Sequence, residues 1–149
     1  MKAYIHDLNA MYRSCPALYA MDGNSDGFEW IQFTNYDENI VAFLRKTEKM
    51  EETLLIVCNF SPVSYDSYQV GVPFAGKYKE IFNSDNGKYG GLGVVNTRAK
   101  NVVHAECDNR ENSLKMKLPA YGVTVFSCTP EKKVSSVKRV GKKVKISRK

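Results

Sequence analysis

The sequence predicts an all-β fold, an antiparallel β-sandwich with Greek-key connections, preceded by one N-terminal helix. Three observations carry that expectation. From Phe28 onward, short runs rich in β-branched and aromatic residues recur between polar turns, with no helical pattern between them. Two runs alternate with the period of a pleated strand: Leu114, Met116 and Leu118 against Lys115 and Lys117, and Tyr78, Glu80 and Phe82 against Lys79 and Ile81. Only the first 15 residues show a helical period.

In that opening segment Tyr4, Leu8, Met11 and Cys15 fall on one helical face, and Ile5 and Tyr12 widen the stripe. Pro16 limits the helix, because the residue before a proline is pushed out of the α region. No capping Ser, Thr, Asp or Asn precedes the stripe, so a truncated helix is expected. Residues 22–27 form a turn cluster of Asp, Gly, Asn and Ser. Strands are then expected at 28–33, 40–45, 53–60, 68–72, 77–83, 102–107, 113–118 and 123–128. The run 54–58 is apolar throughout, as in a central strand covered on both faces. Trp30, alternating with Phe28, is expected in the core.

The segment from Asn83 to Gly93 holds four glycines, two asparagines and Asp85 directly after an apolar run. Asn and Gly tolerate backbone angles that other residues avoid, so this is a shaped loop leaving a strand. Tyr89 against the Gly90-Gly91 pair points to one specified conformation.

A chain of 149 residues suits one domain and can bury roughly 70% of its unfolded surface. The net charge of +6 is concentrated: residues 131–149 hold nine Lys or Arg and one acid, whereas the other 130 residues balance at −2. The basicity is therefore a tail on a mildly acidic body, which argues against a nucleic-acid surface. No run approaches the roughly 20 apolar residues of a membrane span, and the start lacks a signal-peptide core. Cys15, Cys58, Cys107 and Cys128 are mutually isolated, without metal-ligand spacing, and read as four free thiols in a reducing, cytoplasmic setting. Asn59-Phe60-Ser61 matches a glycosylation sequon, read as accidental.

Catalytic chemistry finds little footing. The acids fall in turns and on exposed strand faces; Glu29, between Phe28 and Trp30, is the exception and reads as a strand-face carboxylate. His6 and His104 give no paired-ligand spacing, and no Gly-x-Ser-x-Gly elbow exists. Gly91-Leu92-Gly93 is followed by Asn96 and no helix, so no dinucleotide loop is present. No catalytic residue, metal ligand or cofactor is expected. What survives is recognition through aromatic faces that stack on sugar rings, with Tyr89, Tyr65 and Tyr36 as the candidate sugar contacts and Tyr68 beside them.

Several phrases, in order, resemble the C-terminal end of a 1,4-α-glucan (glycogen) branching enzyme of the α-amylase superfamily. They are Leu8-Asn9-Ala10-Met11-Tyr12, Gly27-Phe28-Glu29-Trp30-Ile31, Ala42-Phe43-Leu44-Arg45, Asn59-Phe60-Ser61-Pro62-Val63, Tyr68-Gln69-Val70-Gly71-Val72-Pro73, Asn83-Ser84-Asp85, Tyr89-Gly90-Gly91-Leu92-Gly93 and Leu118-Pro119. The resemblance spans roughly residues 5–128 and departs at Ala120-Tyr121-Gly122, where the family usually has a second Pro or a large apolar residue.

It implies an all-β domain of the α-amylase C-terminal type and a parent enzyme that transfers α-1,4-glucan chains to α-1,6 branch points. That enzyme would use a carboxylate nucleophile and a second carboxyl as acid and base. Those groups lie on a (β/α)8 barrel of roughly 250 residues, none of whose strands is in this chain, so no catalytic residue carries over. The expected organisation is 1–19 as terminal helix and linker, a remnant of the last barrel helix; 20–130 as the β-sandwich; and 131–149 as a basic, flexible tail. The expected partners are α-1,4-glucan or glycogen and the barrel of the same polypeptide, with no membrane. The fragment itself is expected to be non-catalytic, supporting the barrel or binding glucan. The alternative is an independent non-catalytic α-glucan-binding module.

Overall fold

The computed structural model describes residues 1–34 and 37–131, so Tyr36 and the tail from residue 132 onward lie outside the described residues. The elements are α1 (Lys2–Ser14), β1 (Phe28–Gln32), β2 (Ile40–Arg45), β3 (Leu54–Asn59), β4 (Tyr65–Val72), β5 (Gly76–Asn83), β6 (Lys100–Asn101), β7 (Asn112–Leu118) and β8 (Gly122–Pro130). Six strands form one sheet in the order β1-β2-β3-β8-β5-β6, and β4 pairs with β7 in a second. Every pairing is antiparallel. The chain crosses to the second sheet for β4, returns for β5 and β6, crosses again for β7 and returns as β8, which inserts between β3 and β5 as in a Greek key.

The core between the sheets follows from the pleat. Leu55 and Val57 of β3, Ala42 and Leu44 of β2 and Phe126 of β8 meet Val70 and Val72 of β4 and Leu114, Met116 and Leu118 of β7. On the opposite face of the large sheet, Leu54, Ile56, Phe82 and Val125 pack with Ala17 beneath Tyr4, Leu8 and Met11 of α1 and Cys15 just after it. Strand β3 is thus buried on both faces, which is why its sequence is apolar without alternation. Helix α1 ends where Cys15 turns extended, at φ −113° and ψ 93°, before Pro16. Ile5 and Tyr12 do not join the buried stripe and face solvent.

Three expectations are corrected. The alternation of Tyr78, Glu80 and Phe82 breaks at a bulge: Glu80 pairs with Phe126 and Phe82 with Val125, leaving Ile81 as the extra residue. Tyr78 consequently enters the inter-sheet core while Phe82 turns to the helix side. The segment 102–107 is not a strand; β6 is two residues long, followed by bridges from Val103 to Ser113 and Cys107 to Arg110. Asp108 and Asn109, at φ 52° and 58°, close a two-residue turn there, and the Cys107 and Arg110 backbones bond each other at 3.0 and 2.9 Å. Trp30 is no core residue. It pairs with Phe43 on the helix-side face, beyond the reach of α1, and remains 48% exposed.

Candidate functional site

The loop after β5 is built by Asp85. Its backbone N–H donates to Asn83 Oδ1, its carboxylate accepts from the Leu92 and Val94 N–H groups, and its carbonyl accepts from Gly93, each at 2.9 Å. A side chain at Gly91 would approach the Asp85 carbonyl oxygen to 2.2 Å, so this crossing requires glycine. The far end is held by Asn96: its amide donates to Glu80 at 2.7 Å and to the Lys117 carbonyl at 3.0 Å, and its Oδ1 accepts from Lys117 N–H at 2.8 Å. The loop therefore has one conformation fixed at both ends.

Within it, Tyr89 packs edge-on against Tyr4 at 5.2 Å and beside Phe82 at 5.9 Å. Its hydroxyl donates to Asp7 Oδ2 at 2.8 Å, and Lys88 pairs with the same oxygen at 2.7 Å. The Lys88 hydrogen bond, followed by those of His6 and Tyr89, holds the Asp7 carboxyl well below the usual aspartate range. Tyr89 thus joins the loop to α1, with part of its ring left to solvent. Tyr65 meets Tyr68 edge-on at 5.2 Å and packs partly against the inter-sheet core. The Tyr68 hydroxyl lies 2.8 Å from Gln32 Oε1 and 2.9 Å from Glu38 Oε2; burial first, then the Glu38 carboxylate, push its pKa up. Tyr65 and Tyr89 stand in different parts of the fold, and Tyr36 lies outside the described residues.

A larger aromatic surface escaped the sequence reading. Phe28, Trp30 and Phe43 form a contiguous cluster, with ring centroids 4.9 Å apart for Phe28–Trp30, 5.2 Å for Phe28–Phe43 and 5.8 Å for Trp30–Phe43. Phe33, 55% exposed, extends it at 5.7 Å from Trp30. The signal available in the sequence was the Phe28, Trp30 and Phe43 set on facing strands; which face is covered depends on where α1 lies.

The polar groups beside this surface are committed to structure. Glu29 bonds Lys46 at 2.6 Å and pairs with Arg110. Burial pushes its carboxyl up, and the two cations outweigh that, leaving it below the usual glutamate range. Arg45 pairs with Asp22 and donates to the Ala17 carbonyl at 3.1 Å. Burial pushes the Cys128 thiol up to about 12, and burial with Asp108 pushes Cys107 up to about 11, so both are protonated and non-nucleophilic at neutral pH. All four cysteines are free. Asn59 is buried with both amide hydrogens bonded, to the Val63 and Pro119 carbonyls at 2.8 Å each, which closes the sequon to modification. Among the described residues no group of three or more His, Cys, Asp or Glu could hold a metal ion, and no helix is long and apolar enough to cross a membrane.

The model of the α-amylase C-terminal all-β domain family matches residues 30–129. The 1,4-alpha-glucan branching enzyme GlgB of Oceanobacillus iheyensis is 40% identical over 129 residues, covering 87% of this chain and 20% of that enzyme. The GlgB of Synechococcus elongatus is 44% identical over 119 residues, covering 80% and 15%. The GlgB of Bacillus mycoides is 34% identical over 146 residues, covering 98% and 22%. The chain therefore spans about a fifth of the length of the curated relatives it matches. Among solved structures, the crystal structure of an α-amylase from H. orenii aligns with 80% of this chain and 18% of its own, at 20% identity and a TM-score of 0.44. The match over most of the sandwich places the chain plainly: it belongs to the α-amylase C-terminal all-β domain family and is homologous, along most of its length, to 1,4-α-glucan branching enzymes.

Proposed function

We propose that this chain is the C-terminal β-domain of a 1,4-α-glucan branching enzyme, a cytoplasmic hexosyltransferase of glycogen biosynthesis that moves α-1,4 chains onto α-1,6 branch points. The observation that carries the reading is the 40% identity to a named branching enzyme over 87% of the chain. On this reading the catalytic carboxylates belong to a (β/α)8 barrel elsewhere in the same polypeptide, residues 1–19 are the remnant of its last helix and a linker, and the 20–130 unit buttresses it without catalysing transfer. Glu29 is committed to Lys46 and Arg110, and burial keeps the Cys107 and Cys128 thiols protonated, which fits a supporting role.

The same domain is proposed to touch α-glucan. The aromatic cluster of Phe28, Trp30, Phe33 and Phe43, in which Trp30 and Phe33 are exposed, supports this, because flat apolar rings complement the faces of pyranose rings.

The test is a domain exchange. The C-terminal β-domain of the Oceanobacillus iheyensis enzyme is replaced by this chain, and branching of amylose is followed by debranching and chain-length analysis. The chimera is expected to branch, the truncated barrel to lose most of its activity, and this chain alone to have none. Branching by the 149-residue chain alone, or a folded chimera no more active than the truncated barrel, overturns the proposal.

A further inference from the structure

The end of the sandwich where β3 and β7 leave their sheets carries a second exposed surface. Asn59, buried at the end of β3, ties two turns together: its amide donates to Val63 O in one turn and to Pro119 O in the other, and its Oδ1 accepts from Ser61 N–H at 2.9 Å. Tyr121 N–H donates to the Ser61 carbonyl at 3.0 Å, and Ala120 N–H to Ser64 Oγ at 3.0 Å. The two turns are thus one rigid unit.

What this unit displays is unusual for a solvated turn. Tyr121 is 72% exposed, Phe60 63% and Val63 51%. Tyr121 also holds φ at 47°, the left-handed region that a bulky side chain occupies only against a steric cost. Gly122 follows it and would take that conformation more cheaply, yet the strained residue is the tyrosine. Backbone strain kept by a fully bonded surround concentrates at functional positions. No hydrogen bond engages the Tyr121 hydroxyl among the described residues. The result is an exposed aromatic ring on a bonded backbone, its hydroxyl without a hydrogen bond among the described residues; a tyrosine ring has few rotatable bonds to order on binding.

We infer that Tyr121, with Phe60 in the turn bonded to its own, is a stacking site for the pyranose rings of an α-glucan chain. This rests on the reading of the chain as part of a glucan-acting enzyme. A ring with a free hydroxyl suits a saccharide, which presents an apolar face and equatorial hydroxyls together, better than a purely apolar protein contact.

Tyr121→Gly tests it, because glycine accepts the left-handed angle and the variant therefore stays folded with an unlowered Tm. Retardation of the full chain in gels containing glycogen, and titration with maltoheptaose, are compared for the wild type, Tyr121→Gly, Trp30→Ala and the double variant. Tyr121→Gly is expected to weaken binding roughly tenfold, the scale of one aromatic contact, in both the wild-type and the Trp30→Ala backgrounds. Wild-type affinity in Tyr121→Gly overturns the inference, as does a wild-type chain that binds no glucan; the domain-exchange experiment decides the parent reading separately. A Tyr121→Gly variant that binds glucan normally but fails to restore a truncated barrel marks a protein-docking surface instead, and also overturns it.

Discussion

Tyr89 donates its hydroxyl to the Asp7 carboxylate at 2.8 Å, joining residues 82 apart in sequence and fastening α1 to the loop after β5. Lys88 pairs with the same carboxylate oxygen, and His6 with the other. Because Asp7 is held below its unfolded value of about 4, its contribution is complete above that pH and is lost as pH falls through it toward the folded value. Helix α1 is therefore expected to lose amide protection, taken relative to the intrinsic exchange rate at each pH, in acid, and Asp7→Asn to show at neutral pH the protection the wild type shows in acid. The measurement is amide exchange of residues 2–14 between pH 6 and 2. An Asp7→Asn difference that stays constant across that range rules the latch out.

Asn59→Ala is expected to destabilise the domain by about 2–3 kcal/mol, because it strands the Val63 and Pro119 carbonyls and the Ser61 N–H in a buried site. Asn59→Asp keeps the acceptor for Ser61 but places a charge between two carbonyls, and is expected to cost at least as much. Urea denaturation reads both. A loss below about 0.5 kcal/mol for Asn59→Ala shows that the turns hold without the clamp.

Phe82 and Trp30 lie on the same face of the large sheet with opposite surroundings. Phe82 is buried under α1, and Phe82→Ala is expected to cost about 3–5 kcal/mol. Trp30, half-exposed beyond the helix, is expected to cost at most about 1 kcal/mol on truncation to Ala. Equal losses for the two would mean that the aromatic surface is part of the core and is unavailable to a ligand.

Local pattern fixed what local pattern can fix. Strand β2 runs from Ile40 to Arg45, the bounds expected from its apolar run, because polar turns flank it on both sides. The buried face of β3 was legible because both of its faces are covered. The bulge at Ile81 was hidden, since Tyr78, Glu80 and Phe82 alternate without a break in sequence and the extra residue is defined only against Phe126 and Val125. Sequence puts Phe28 and Trp30 on one face but is silent on coverage, which depends on α1 lying over β3, β8 and β5. Tyr89 was visible as an aromatic in a shaped loop; its partner Asp7 was out of reach of any local signal. In Ala120-Tyr121-Gly122, composition points to the glycine for the left-handed angle, and the lacing through Asn59 gives it to the tyrosine.

The glycines of the loop divide by what surrounds them. Gly91 passes over the backbone of Asp85, whose carbonyl oxygen a new side-chain carbon would meet at 2.2 Å; that atom is backbone and cannot swing away. Gly91→Ala is therefore expected to open the loop, break the bonds from Leu92 and Val94 to the Asp85 carboxylate, and release Tyr89 from α1. Gly87 has open space around it and opens a short helical turn, so Gly87→Ala is expected to be neutral or stabilising by about 0.4–1 kcal/mol, through a less disordered unfolded chain. Thermal unfolding with amide exchange at Leu92 and Val94 distinguishes the two. If Gly91→Ala keeps protection at both amides, the crossing at Asp85 tolerates a side chain and the glycine there is incidental to the shape of the loop.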